Sequence, residues 1–138
     1  MMKKGVMAIF LLIALNCFRF GLASSGDVVE REVYLLVRER ELVAFSAVGN
    51  RWVTQNLISR ERVLESTFDG HVAVAVTNLR VLGFSALTNR WSEERLEVGE
   101  SLNTVEAEGN VGVAITNLRA FGFSAKTGTW TVKRFCLK

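Results

Sequence analysis

"VAVTNLRVLGFSALTNRW" spans residues 74–91, and "VAITNLRAFGFSAKTGTW" spans residues 113–130. The two stretches are one sentence written twice, 39 positions apart. Aligned without a gap, residues 70–99 and 109–138 share 15 of 30 residues. The step extends toward the N-terminus. Trp52, Trp91 and Trp130 follow it, as do Phe45, Phe84 and Phe123 with the Phe-Ser-Ala triplets they open. The first copy, "LVAFSAVGNRW" at 42–52, keeps these residues but lacks Thr-Asn-Leu-Arg. A repeat of this length is one supersecondary piece whose apolar sides only its neighbours can cover.

The unit reads as four short strands, which makes the chain all-β with three 39-residue four-stranded repeats. In the second copy they are "HVAVAV" (71–76), "RVLGFSA" (80–86), "RWSEERL" (90–96) and "SLNTVEAE" (101–108). The first is apolar throughout, which predicts a strand covered on both sides. The third and fourth carry more charge and are expected nearer water. Thr-Asn at 77–78 and 116–117 marks a two-residue hairpin link, where asparagine tolerates a left-handed backbone. Asn89 is replaced by Gly128 in the next copy. The two share ease at positive φ, which predicts a tight turn there. No proline interrupts any strand, so all are free to pair centrally.

The third copy stops before a fourth strand. A shift of 39 sets "SSGDVVE" (24–30) against "VLESTFD" (63–69). We therefore expect residues 24–30 to supply the strand that the third repeat lacks, stapling the two ends and removing exposed sheet edges.

"FSAKTGTW", preceded by an apolar strand, resembles a bacterial β-propeller blade of the short pyrroloquinoline-quinone-type repeat. That pattern runs strand, Ala-x-Asp-x-x-Thr-Gly, then Trp. The resemblance covers all three units. It implies the propeller fold and no cofactor, because alanine stands in place of the family's aspartate and the cofactor-site acids have no counterparts. Propellers have roughly four to eight blades, so three blades form half a ring, completed by a second chain as an oligomeric six-bladed ring. The alternative closure is a β-trefoil, which also has threefold repeats.

The chain has 138 residues, enough for one domain. "MMKK" followed by "GVMAIFLLIALNCF" and "GLASS" reads as a signal peptide over 1–23, with cleavage after Ala23. Residues 24–138 then form a single β-repeat domain, secreted or periplasmic. An uncleaved segment is the alternative, and only then is a membrane involved. The whole chain carries 17 basic and 14 acidic residues, net +3. Lys3, Lys4 and Arg19 lie in the signal with no acid, which leaves 14 of each sign. A nucleic-acid partner is excluded, because phosphate neutralisation needs a basic excess on the folded part. Cys17 leaves with the signal, so Cys136 stands alone and no internal disulfide forms.

Catalytic chemistry has little to stand on. His71 is the one histidine, with Glu32 and Asn110 at the equivalent positions. A hydrolase built on Asp69, His71 and a serine is the minor alternative. Glu93 and Glu94 are adjacent on a strand and so point to opposite sides. They hold no metal, and no metal or cofactor site is expected. The ligand-binding candidates are Trp52, Trp91 and Trp130, which either stack on flat ligands or pack between units, with Arg51 and Arg90 beside the first two. Arg80 and Arg119 are candidates for an anion, or for pairing with acids such as Glu106 and Glu108. The function expected is an exported non-enzymatic module that binds a protein or ligand, assembling as a homo-oligomer. The alternative is a trefoil lectin with a glycan ligand.

Overall fold

A computed structural model describes residues 29–136. The signal segment and residues 24–28 of the closing strand expected at 24–30 lie outside the described residues; Val29 and Glu30 precede the first strand without joining a sheet. The described chain is all-β. Eleven strands follow in order: β1 (Val33–Val37), β2 (Glu41–Ser46), β3 (Arg51–Asn56), β4 (Val63–Asp69), β5 (Val72–Thr77), β6 (Arg80–Ser85), β7 (Arg90–Arg95), β8 (Leu102–Glu108), β9 (Val111–Thr116), β10 (Arg119–Ser124) and β11 (Thr129–Arg134). They make three antiparallel sheets, ordered β1-β2-β3, β4-β5-β6-β7 and β8-β9-β10-β11. None closes into a barrel, which removes the β-trefoil alternative. Among the described residues no helix is long and apolar enough to cross a membrane.

The unit boundary differs from the sequence expectation by one strand. The strand at 101–108 does not pair with β7 but with β9, in the next sheet. Connection length explains this. Gly109 (φ +58°) and Asn110 turn β8 straight back along β9, and a two-residue link forces antiparallel pairing. The stretch from Leu96 to Ser101 is too long for a hairpin and carries the chain from one sheet to the next. The glycine that had read as punctuation between units is a hairpin within one.

The other turns divide into two kinds. Asn50, Asn89 and Gly128 all lie at positive φ (49°, 56° and 69°), as the Asn-to-Gly exchange predicts. The Thr-Asn link falls in the expected place but works differently, since Asn78 and Asn117 are not left-handed. Thr77 Oγ1 accepts the backbone N–H groups of Leu79 and Arg80 at 3.1 and 3.0 Å. Thr116 does the same for Leu118 and Arg119. The hydroxyl, not a positive φ, closes this turn.

Consecutive sheets pack face against face, and equivalent residues meet. Val72, Val74 and Val76 face the third sheet, clustered with Ala114, Phe121, Phe123 and Trp130. Ala73, Ala75, Leu82 and Phe84 face the first sheet, clustered with Val33, Leu35, Leu42 and Ala44. Every residue of β5 and β6 is buried. This accounts for the unbroken "VAVAV" run, with valine on one side and alanine on the other. The approach is closest where small residues stand opposite. A β-carbon on Gly70 would lie 2.2 Å from the Gly109 carbonyl oxygen, and one on Gly112 would lie 2.5 Å from Val74. Polar links cross the same gaps. Glu32 N–H donates to Gly70 O at 2.7 Å and His71 N–H to Gly109 O at 2.8 Å. Ser46 Oγ donates to Ala86 O and Ser85 Oγ to Ala125 O.

Candidate functional site

Arg80 and Arg119 both sit at the start of a strand after Thr-Asn-Leu, and both are engaged within the fold. Arg80 Nε donates to Glu61 Oε2 at 2.8 Å, and one terminal nitrogen donates to Glu61 Oε1 at 2.9 Å. Its guanidinium also reaches Glu93 and, at 2.9 Å, the Asn56 carbonyl of the first sheet. Arg119 repeats the arrangement one unit later. Its Nε donates to Glu100 Oε2 at 3.0 Å, and a terminal nitrogen donates to the Arg95 carbonyl of the second sheet at 2.8 Å. The partners expected from the sequence, Glu106 and Glu108, are not used. They stand on β8, whereas the arginines reach the loop that crosses between sheets.

Each crossing loop is thereby clamped. Glu61 Oε1 accepts Ile58 N–H, Glu61 Oε2 accepts the Thr77 hydroxyl at 2.7 Å, and Asn78 Oδ1 accepts Arg62 N–H. Glu100 accepts Glu97 N–H and the Thr116 hydroxyl, and Asn117 Oδ1 accepts Ser101 N–H. Both carboxylates have fully buried side chains. Burial pushes the Glu100 carboxyl up, but hydrogen bonds from Arg119, Thr116 and Glu97 outweigh it and hold the group at about 2. Glu61 is lowered by the same balance, with Arg80 as the largest opposing partner. Thr-Asn-Leu-Arg is the socket for a buried glutamate. That is what the duplicated sentence encodes, and the first copy, with "RERE" at 38–41, has no such socket.

A pH dependence follows. The folded-state value of Glu100 lies below its ordinary 4.5, so its contribution to stability is complete above about pH 4.5 and is lost as pH falls toward 2. Urea midpoints measured between pH 6 and pH 2 are expected to fall steeply in the wild-type chain and less steeply in Glu100→Gln. Parallel curves for the two chains would sink this assignment.

The three tryptophans occupy equivalent positions with unequal surroundings. Trp91 Nε1 donates to Val53 O at 3.0 Å, and Trp130 Nε1 donates to Ser92 O at 3.1 Å. Each indole therefore docks on the sheet before its own, beside Phe84 or Phe123. Trp52 packs on Phe45, 5.0 Å between centroids, but no sheet precedes its own among the described residues, and it is 55% exposed. Tyr34 and Leu36 lie exposed on the same side of the first sheet. Among the described residues Trp52 and Tyr34 are the two most exposed aromatic side chains.

The remaining sequence candidates are accounted for. His71 Nδ1 hydrogen-bonds Asn110 Oδ1 at 2.6 Å, across two sheets at equivalent positions. Asp69 pairs with Arg31 at 3.7 Å rather than with His71. No group of three or more His, Cys, Asp or Glu side chains converges among the described residues. Arg51 and Arg90 are exposed beside their tryptophans, and Cys136 is exposed near the chain end. Two clefts of about 600 and 510 Å³ open over the crossing loops, one beside Ile58 and Arg60 and its repeat beside Leu96 and Val98. The sequence reading missed Glu61 and Glu100. The signal was present, since they are 39 apart and each stands 16 residues before its threonine, but the alignment began at residue 70, past the first of them.

Compared with protein-family models and with curated sequences, the chain matches none.

Proposed function

We propose that the protein is an exported, non-enzymatic β-repeat module that acts by presenting the open side of its first sheet, centred on Trp52, to a protein surface. The three sheets are read as propeller-like blades. β4 and β8 supply the closely apposed edge, where β8 packs against β4 and β5. The resemblance to short quinone-type blades supports that reading and brings no cofactor with it. The observation that carries the function is the contrast among the repeats. Arg80, Arg119, Trp91 and Trp130 are each held by a hydrogen-bond partner on another part of the fold, whereas among the described residues the Trp52 indole N–H has none and the ring is half exposed. Exposed aromatic clusters with little charge are the surfaces that bind proteins, and tryptophan and tyrosine dominate their energetics.

A photo-crosslinking residue at position 52, in cells, is expected to give a discrete protein adduct. The same residue at position 98, fully exposed over the second cleft, is expected to give none. Equal yields at both positions, or no adduct at 52, would refute the proposal.

A further inference from the structure

We propose that the occupant of the first sheet's open side is the third sheet of a second copy of this chain, docked head to tail. The inference rests on the reading of that side as the working surface, and it adds the partner. The sheet-to-sheet junction occurs twice among the described residues, related by a shift of 39, and the first and third sheets each display one half of it that no described residue matches. On the first sheet, Phe45 and Trp52 repeat Phe84–Trp91 and Phe123–Trp130 without a described sheet to dock on. On the third, Val111, Val113 and Ile115 repeat Val72, Val74 and Val76. They alternate with buried Gly112, Ala114 and Thr116 and so face away from the second sheet. Val111 is 54% exposed, where Val72 is fully buried beneath the third sheet. Continuing the register puts the Trp52 indole N–H opposite the Thr131 carbonyl of the other copy. It likewise puts that copy's Ser124 hydroxyl opposite the Ala47 carbonyl of the chain that carries Trp52.

One position on the first sheet departs from the repeat. Tyr34 stands where Ala73 and Gly112 stand, a much larger residue, half exposed and with its ring 5.0 Å from Phe68. In the same register it meets Val111 and Val113 of the other copy. On that uncovered face these valines line a cleft of about 320 Å³ together with Glu106 and Glu108. The cleft has room for a ring and two carboxylates to accept its hydroxyl. An interface of unlike halves closes a ring or runs on as a filament. Two chains give six sheets, within the range of closed propellers.

The test is the mass in solution of the protein as its host processes it, by sedimentation, with three variants checked for an unchanged β-type circular dichroism spectrum. The wild-type chain is expected to associate through this junction, as a particle of two chains or a longer series. Trp52→Arg and Val113→Arg are each expected to weaken association at least about 30-fold, and Val98→Arg to leave it unchanged. Mixing the Trp52→Arg and Val113→Arg chains restores one intact junction and is expected to give a one-to-one complex. A wild-type chain that stays single, either face variant associating with itself as the wild type does, or no complex on mixing overturns the proposal. The crosslinking at position 52 separates the two levels. An adduct with a different protein refutes the second copy and leaves the module reading standing; no adduct refutes both.

Discussion

Replacing Arg80 with methionine is expected to lower the unfolding free energy by about 3–5 kcal/mol, because removing one partner of a buried pair strands the other charge. The Glu61 side chain is fully buried and that of Arg80 is 9% exposed. Without the guanidinium, the carboxylate keeps only Thr77 Oγ1 and Ile58 N–H as donors. It must then take up a proton or draw water into the crossing loop. Arg31 offers the contrast. It pairs with Asp69 at 3.7 Å with both side chains well exposed, and such pairs are worth about 1 kcal/mol or less. Arg31→Met is therefore expected to be almost silent in the same denaturation series. The double variant Glu61→Met with Arg80→Met removes both charges and is expected to recover much of the loss. If Arg80→Met were as mild as Arg31→Met, the clamp would not be holding the fold.

The second large effect is expected at Phe123, where truncation to alanine costs about 3–5 kcal/mol through lost burial and the cavity left behind. Phe123 is 2% exposed, with its ring 5.0 Å from that of Trp130. It also presses on the second sheet, since a β-carbon on Gly83 would lie 2.7 Å from its ring. Gly83→Ala is therefore expected to destabilise the wild-type chain through overpacking. In the Phe123→Ala background the added methyl enters the vacated space, so its effect should shrink or reverse. Equilibrium unfolding of the four chains measures this coupling. Additive effects would mean that the second and third sheets do not meet at this point.

Much of the fold was legible because the repeat is written in residues that face neighbours. The 39-residue step in Phe and Trp located the units. The apolar run at 72–76 announced a strand covered on both sides, and the Asn89-to-Gly128 exchange located a left-handed turn. Strand grouping was less legible. A glycine at 109 reads alike whether it separates units or closes a hairpin, and only the length of the 96–101 connection decides between them. The arginine partners were missed for a related reason. Glu61 and Glu100 lie in loops of otherwise dissimilar sequence, and a single repeated glutamate is a faint signal among 14 acidic residues. The unequal fates of the tryptophans were illegible from their spacing, because Trp52 differs from Trp91 and Trp130 in having no described sheet before its own, not in the residues beside it.

Hydrogen exchange at the indole N–H groups of Trp91 and Trp130 tests the stacking of sheets most directly, since each bond crosses from one sheet to the one before it. If the sheets are hidden only by one another, both indoles exchange with a free energy close to that of global unfolding. Rapid exchange of either one, in a chain that is otherwise folded, would contradict the account.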